Sequence, residues 1–114
     1  MKNHERILKR ELGYSKIWIK NYNIPGYLRD LNELGIKLDI PVDLYIKEGE
    51  SLSLVVIPEE SIKIPSFELT AEVRWYKKDY PFSSLGVKIN PIPDPIYRDS
   101  YHKLISYYEE MEEE

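Results

Sequence analysis

The stretch Phe67 to Tyr76, FELTAEVRWY, alternates without a break. Phe67, Leu69, Ala71, Val73 and Trp75 fall on one face, and Glu68, Thr70, Glu72, Arg74 and Tyr76 on the other. Side chains along a strand point alternately to opposite faces, so this run is a β-strand with one side in a core and one in water. On this reading Trp75 is a core residue rather than a stacking surface. Downstream, a turn over Tyr80 to Ser84 precedes a second alternation of Leu85, Val87 and Ile89. Upstream, LYIKEGESLSLVVI reads as turn then strand, with Gly49 in the turn. GIKLDI, beginning at Gly35, puts Ile36, Leu38 and Ile40 on one face.

The front of the chain follows the same period. Tyr14 to Lys20, YSKIWIK, sets Ile17 and Ile19 against Lys16, Trp18 and Lys20, which leaves Trp18 exposed. Asn21 to Gly26, NYNIPG, is dense in turn residues, and Tyr27 to Asp30 returns as the second arm of a hairpin. With the turn centred near Asn23 and Ile24, residue 17 is expected opposite residue 30. Ahead of this, Asn3 to Leu12 is charged and helical or irregular.

The tail changes period. Asp94 is suited to cap a helix with Pro95 at its first position. Tyr97, Tyr101, Leu104, Ile105, Tyr108 and Met111 then recur at helical spacing as one apolar stripe. The closing acidic run EEMEEE opposes the helix dipole, so fraying is expected there. Six strands and one helix result. Strand edges are hidden most economically by closure, so the expected fold is an all-β, six-stranded antiparallel barrel with the C-terminal helix over one opening.

Composition limits the function. The 114 residues fit one domain, with an N-terminal segment over 1–13 and the barrel and helix over 14–114. Ten Tyr against one Ala and no Gln lean toward strands. A net charge of -4 argues against duplex DNA, whose phosphates demand basic surfaces. The absence of Cys removes disulfides, thiolate catalysis and thiolate zinc sites. His4 and His102 are isolated, so no metal site is expected. The longest apolar run, Leu54 to Ile57, is far too short to span a membrane. The expectation is a cytoplasmic protein, a monomer or weak dimer, with no membrane insertion. No nucleophile elbow, triad or phosphate-cradling glycine loop is present, so no enzyme is expected.

Two short patterns carry chemistry. Arg6-Ile7-Leu8-Lys9-Arg10 holds two arginines four positions apart, and Asp30-Leu31-Asn32-Glu33-Leu34-Gly35 leads into the strand at Ile36. Arginine forks bind phosphate oxygens and match the O6 and N7 edge of guanine, and the guanidinium plane stacks on a base. A carboxylate such as Asp30 accepts hydrogens from the Watson–Crick edge of guanine, and Asn32 both donates and accepts. Gly35 permits positive φ or close backbone approach. Each has a plainer reading: a solvated basic N-terminus for Arg6 and Arg10, and turn-capping side chains for Asp30 and Asn32. Arg29 adds charge beside the second motif, although strict alternation turns it away.

In order and spacing these patterns resemble the PilZ family, with its R-x-x-x-R near the start and [D/N]-x-S-x-x-G at the head of a barrel strand. DLNELGI is similar to the family form DLSEGGL, and Gly49, Val73-Arg74-Trp75 and Leu85-Gly86-Val87 fit as well. The resemblance runs from about Arg6 to the C-terminal helix. Asn32 stands where the family has Ser, and Leu34 where it often has Gly. The resemblance implies a receptor for the bacterial second messenger cyclic di-GMP, with Arg6 and Arg10 on phosphate and guanine, Asp30 and Asn32 on the base, and Gly35 beside them. It also implies an effector protein that reads the signal, with no cofactor beyond the ligand. Two other readings remain: a PilZ-like interaction module that binds no nucleotide, and an OB-like barrel for single-stranded nucleic acid, which the acidic balance opposes.

Overall fold

The computed structural model of the chain describes residues 15–113, the side chains of 111–113 excepted. Six strands, β1 (Lys16–Ile19), β2 (Ile24–Leu31), β3 (Gly35–Ile40), β4 (Ser51–Ile57), β5 (Phe67–Lys77) and β6 (Ser83–Ile89), precede a helix, α1 (Pro95–Glu113). The strands close into a barrel in the order β1-β2-β3-β6-β5-β4. Every neighbouring pair is antiparallel. The alternation read from the sequence places the core: Ile17, Ile19, Leu38, Leu52, Leu54, Val56, Phe67, Ala71, Val73 and Leu85 are all buried inside. Each of the Val, Leu, Ile and Phe side chains among them contributes about 1.5–3 kcal/mol when removed from water.

Antiparallel order fixes which loops meet. The starts of β1, β3 and β5 and the ends of β2, β4 and β6 share one rim. Helix α1 covers that rim. Tyr101, Leu104 and Ile105 are buried in the barrel core, with Tyr97 and Tyr108 packed at its margin. The Tyr101 ring meets Phe67 edge-on at 6.2 Å, and the Tyr108 hydroxyl lies 2.7 Å from Ser15 Oγ. The helix starts as its sequence requires, with Asp94 Oδ1 accepting the backbone N–H groups of Ile96 at 2.8 Å and Tyr97 at 3.4 Å. Met111, the last residue of the expected stripe, lies outside the described side chains.

Two expectations change. The first hairpin pairs Ile17 with Gly26 rather than with Asp30. Its turn is only Lys20 to Asn23, closed by the left-handed Asn23 at φ 55°, so Pro25 and Gly26 belong to β2. Pro25 is tolerated because the ladder to β3 begins only at Tyr27. The second change concerns the end of the strand that decided the fold. Its alternation holds through Val73 and then slips by one residue, because a bulge lies between Val73 and Trp75. Trp75 is consequently outside the barrel and 40% exposed. Tyr76, read as outward, turns toward the core instead, with its hydroxyl donating to Asp43 Oδ1 at 3.0 Å and accepting the Leu44 N–H at 3.2 Å.

Candidate functional site

The turn between β2 and β3 is built by Asn32. Its backbone N–H donates to Gly35 O at 3.0 Å. Its side-chain Oδ1 accepts the N–H groups of Leu34 at 2.8 Å and Gly35 at 3.1 Å. This is the local capping that Asn performs in turns, and it leaves the Asn32 amide NH2 without a protein partner among the described residues. From the core side, the Tyr101 hydroxyl of α1 donates to Asn32 O at 2.6 Å and lies 3.4 Å from Gly35 O. Gly35 is required by its neighbour strand: a Cβ there would stand 2.2 Å from Val87 O. Close approach is therefore the reason for this glycine, and the approaching backbone is that of β6.

Burial raises the pKa of the Tyr101 hydroxyl well above its ordinary value of 10. The unfolded chain releases this proton near pH 10 while the folded chain retains it. The stability it contributes is thus complete below pH 10 and falls as pH rises further. Tyr101→Phe is expected to cost about 1 kcal/mol at neutral pH through the lost hydrogen bond. It should also make the alkaline loss of stability shallower. Urea titrations from pH 7 to pH 11 check both, and an unchanged alkaline slope would contradict the assignment.

Beside this turn, two bulges reshape the outer wall. One falls between Leu28 and Asp30 in β2, the other between Val73 and Trp75 in β5. Each leaves two consecutive residues facing outward, Arg29 with Asp30 and Arg74 with Trp75, all exposed. The alternation argument that turned Arg29 away fails for this reason, and Arg29 pairs with Asp39 at 3.3 Å on the outer wall. The bulges bring four residues into register across four strands: Asp30 opposite Lys37, Lys37 opposite Gly86, and Gly86 opposite Trp75. The indole of Trp75 lies over Gly86, where a Cβ would come within 2.2 Å of Nε1. The Lys37 ammonium sits 5.7 Å from the centre of the Trp75 ring.

The row forms part of a shallow groove of about 550 Å3, lined among others by Asp30, Asn32, Lys37, Arg74, Trp75 and Lys88. Gly35 and the exposed Leu34 complete the turn end of it. Among the described residues Asp30 forms no ion pair, and neither do Arg74 and Lys88. The groove thus offers an aromatic face, an unpaired carboxylate, an amide and three cations. Together these suit a ligand carrying both a base and phosphate.

Asp30, Asn32 and Gly35, singled out from the sequence, share this groove. Arg6 and Arg10 lie outside the described residues. The chain enters β1 at the rim where β2 leaves: Ser15 is buried there, and its carbonyl accepts the Leu28 N–H at 2.9 Å. Lys37, Arg74, Trp75 and Lys88 were missed as site residues. Lys37 and Lys88 carried only the signal of outward alternation. Trp75 carried the opposite signal, because a bulge leaves no mark in an alternating sequence.

A family model of the PilZ domain matches residues 5–107. The chain belongs to the PilZ domain family. PilZ domains are binding and adaptor modules, and the closed six-stranded barrel with one C-terminal helix is their fold. No curated protein matches this PilZ domain. Among the described residues no group of three or more His, Asp or Glu is placed to hold a metal, and no helix is long and apolar enough to cross a membrane.

Proposed function

We propose that this PilZ domain is a non-catalytic, cytoplasmic receptor for cyclic di-GMP, with Arg6, Arg10, Asp30, Asn32 and Gly35 forming its ligand site. The observation that carries the reading is the row in which an unpaired Asp30 carboxylate and the exposed face of Trp75 share one groove. Guanine needs both, an acceptor for its N1 and N2 hydrogens and a surface to stack on. The phosphates need cations. Arg10 stands five residues before Ser15, and five extended residues span up to about 17 Å, enough to bring its guanidinium to the groove from the shared rim. Contacts of Arg6 and Arg10 with the ligand would supply the free energy for the change that a partner reads.

The Tyr101 hydrogen bond to Asn32 supplies a physical link from the ligand turn to α1. Calorimetric titration with cyclic di-GMP tests the proposal. Binding is expected, and Arg10→Ala should weaken it about tenfold or more through the loss of a charge-assisted contact. No heat at ligand concentrations approaching millimolar would reject the reading.

One observation favours a second reading, an interaction module without nucleotide: the Asn32 oxygen is occupied by its own turn. A serine hydroxyl caps such a turn with a shorter reach. Binding that is absent in the parent chain and present in Asn32→Ser would favour the second reading.

A further inference from the structure

We infer that Lys37 is a phosphate-binding residue of the groove, held on the face of Trp75 until a ligand base takes that face. This rests on the proposal that the groove receives cyclic di-GMP. Lys37 stands between Asp30 and Gly86 in the four-strand row. Its direct cross-strand partner is a carboxylate, and an Asp–Lys pair facing each other across an antiparallel ladder ordinarily attracts. Yet Lys37 forms no ion pair with Asp30 among the described residues. Its ammonium instead lies over the Trp75 ring, at 5.7 Å.

That choice has two consequences. Asp30 keeps its acceptor oxygens open for a base edge. The ammonium also shields the indole, which lies against the barrel wall because residue 86 has no side chain. A cation–π contact at an exposed site is weak and exchangeable. When a base displaces the ammonium, Lys37 is released at a point between the base-edge acceptor and the base platform. In a cyclic dinucleotide with one guanine on Asp30 and the other on Trp75, the sugar-phosphate ring joins the two bases and runs close to that point. A flexible ammonium stem suits a phosphate oxygen as a point charge.

The test uses the full chain and cyclic di-GMP, with calorimetric titrations at low and physiological salt for the parent, Lys37→Met and Lys37→Arg. Lys37 is exposed on β3, so Met retains the stem and the fold while removing the charge. Lys37→Met is expected to weaken binding about tenfold and to make affinity less salt-sensitive by about one ion contact. Lys37→Arg should retain most of the affinity and the parent's salt dependence. A role confined to packing would leave the salt dependence untouched. Parent-like affinity and salt dependence in Lys37→Met would overturn the Lys37 assignment while leaving the receptor reading intact. Absence of binding by the parent chain would overturn both.

Discussion

Gly35→Ala is expected to destabilise the barrel by about 3 kcal/mol or more, a large share of the roughly 5–15 kcal/mol that holds a domain of this size. The added methyl would meet Val87 O at 2.2 Å and Val87 C at 3.2 Å. Both are backbone atoms of β6, so no rotamer change relieves the clash. Only separation of β3 from β6 does, and that pair runs over six registered positions from Gly35–Lys88 to Ile40–Ser83. The same shift would pull Gly35 O and Asn32 O away from the Tyr101 hydroxyl. A fall in melting temperature of roughly 10–20 °C follows from this magnitude. Gly49→Ala provides a contrast. Gly49 has φ +89° and open space around it, so alanine there pays only left-handed backbone strain, about 1–2 kcal/mol. Equal melting temperatures for the two variants would show that β3 and β6 do not approach as described.

The role of this glycine marks how far the sequence is legible. The D-x-N-x-x-G spacing identifies a turn at the head of β3, and Asn32 and Gly35 both serve that turn. Which atoms crowd Gly35 depends on β6, fifty residues away, and no local pattern reports it. Period-2 alternation likewise locates β1, β3, β5 and β6, because burial of one face writes itself directly into the residue order, and the turns before β2 and β4 locate those two. It fails at bulges. A single inserted residue reverses the facing of everything after it, and the sequence on either side remains equally well alternating. Val73-Arg74-Trp75 gives a reader no reason to break the pattern after Val73. Pro25 and Gly26 mislead in the other direction, as turn-forming residues that lie within a strand whose edge toward β3 is still unpaired there. Both failures are tertiary. They arise from how β2 and β5 sit beside the β3–β6 pair, and they determine the composition of the groove. Asp30, Asn32 and Gly35 could be named from their motif, whereas Lys37, Trp75 and Lys88 become neighbours only once the barrel closes.

Trp75→Ala is expected to weaken cyclic di-GMP binding about 10- to 100-fold while leaving the melting temperature nearly unchanged. Stacking on an aromatic side chain contributes about 1–3 kcal/mol per base, and Trp75 is on the outer wall, so its removal opens no cavity in the core. A second substitution separates stacking from mere bulk. In Gly86→Ala the indole is retained, but the new methyl would stand 2.2 Å from Nε1 and 2.5 Å from Cε2. The obstructing atoms belong to a half-exposed side chain, so the ring can lift off the wall instead of forcing the strands apart. Gly86→Ala should therefore lose affinity in the same direction as Trp75→Ala, with the barrel intact. Trp18 is the only other tryptophan, so in a Trp18→Phe background the emission of Trp75 alone reports both the displaced ring and the arriving base. Two results together would remove Trp75 from the binding surface: full affinity in Gly86→Ala, and no change in Trp75 emission on titration. A groove that binds without its aromatic floor would have to hold the ligand by charge alone, and its affinity would then collapse at high salt in a way that stacking does not.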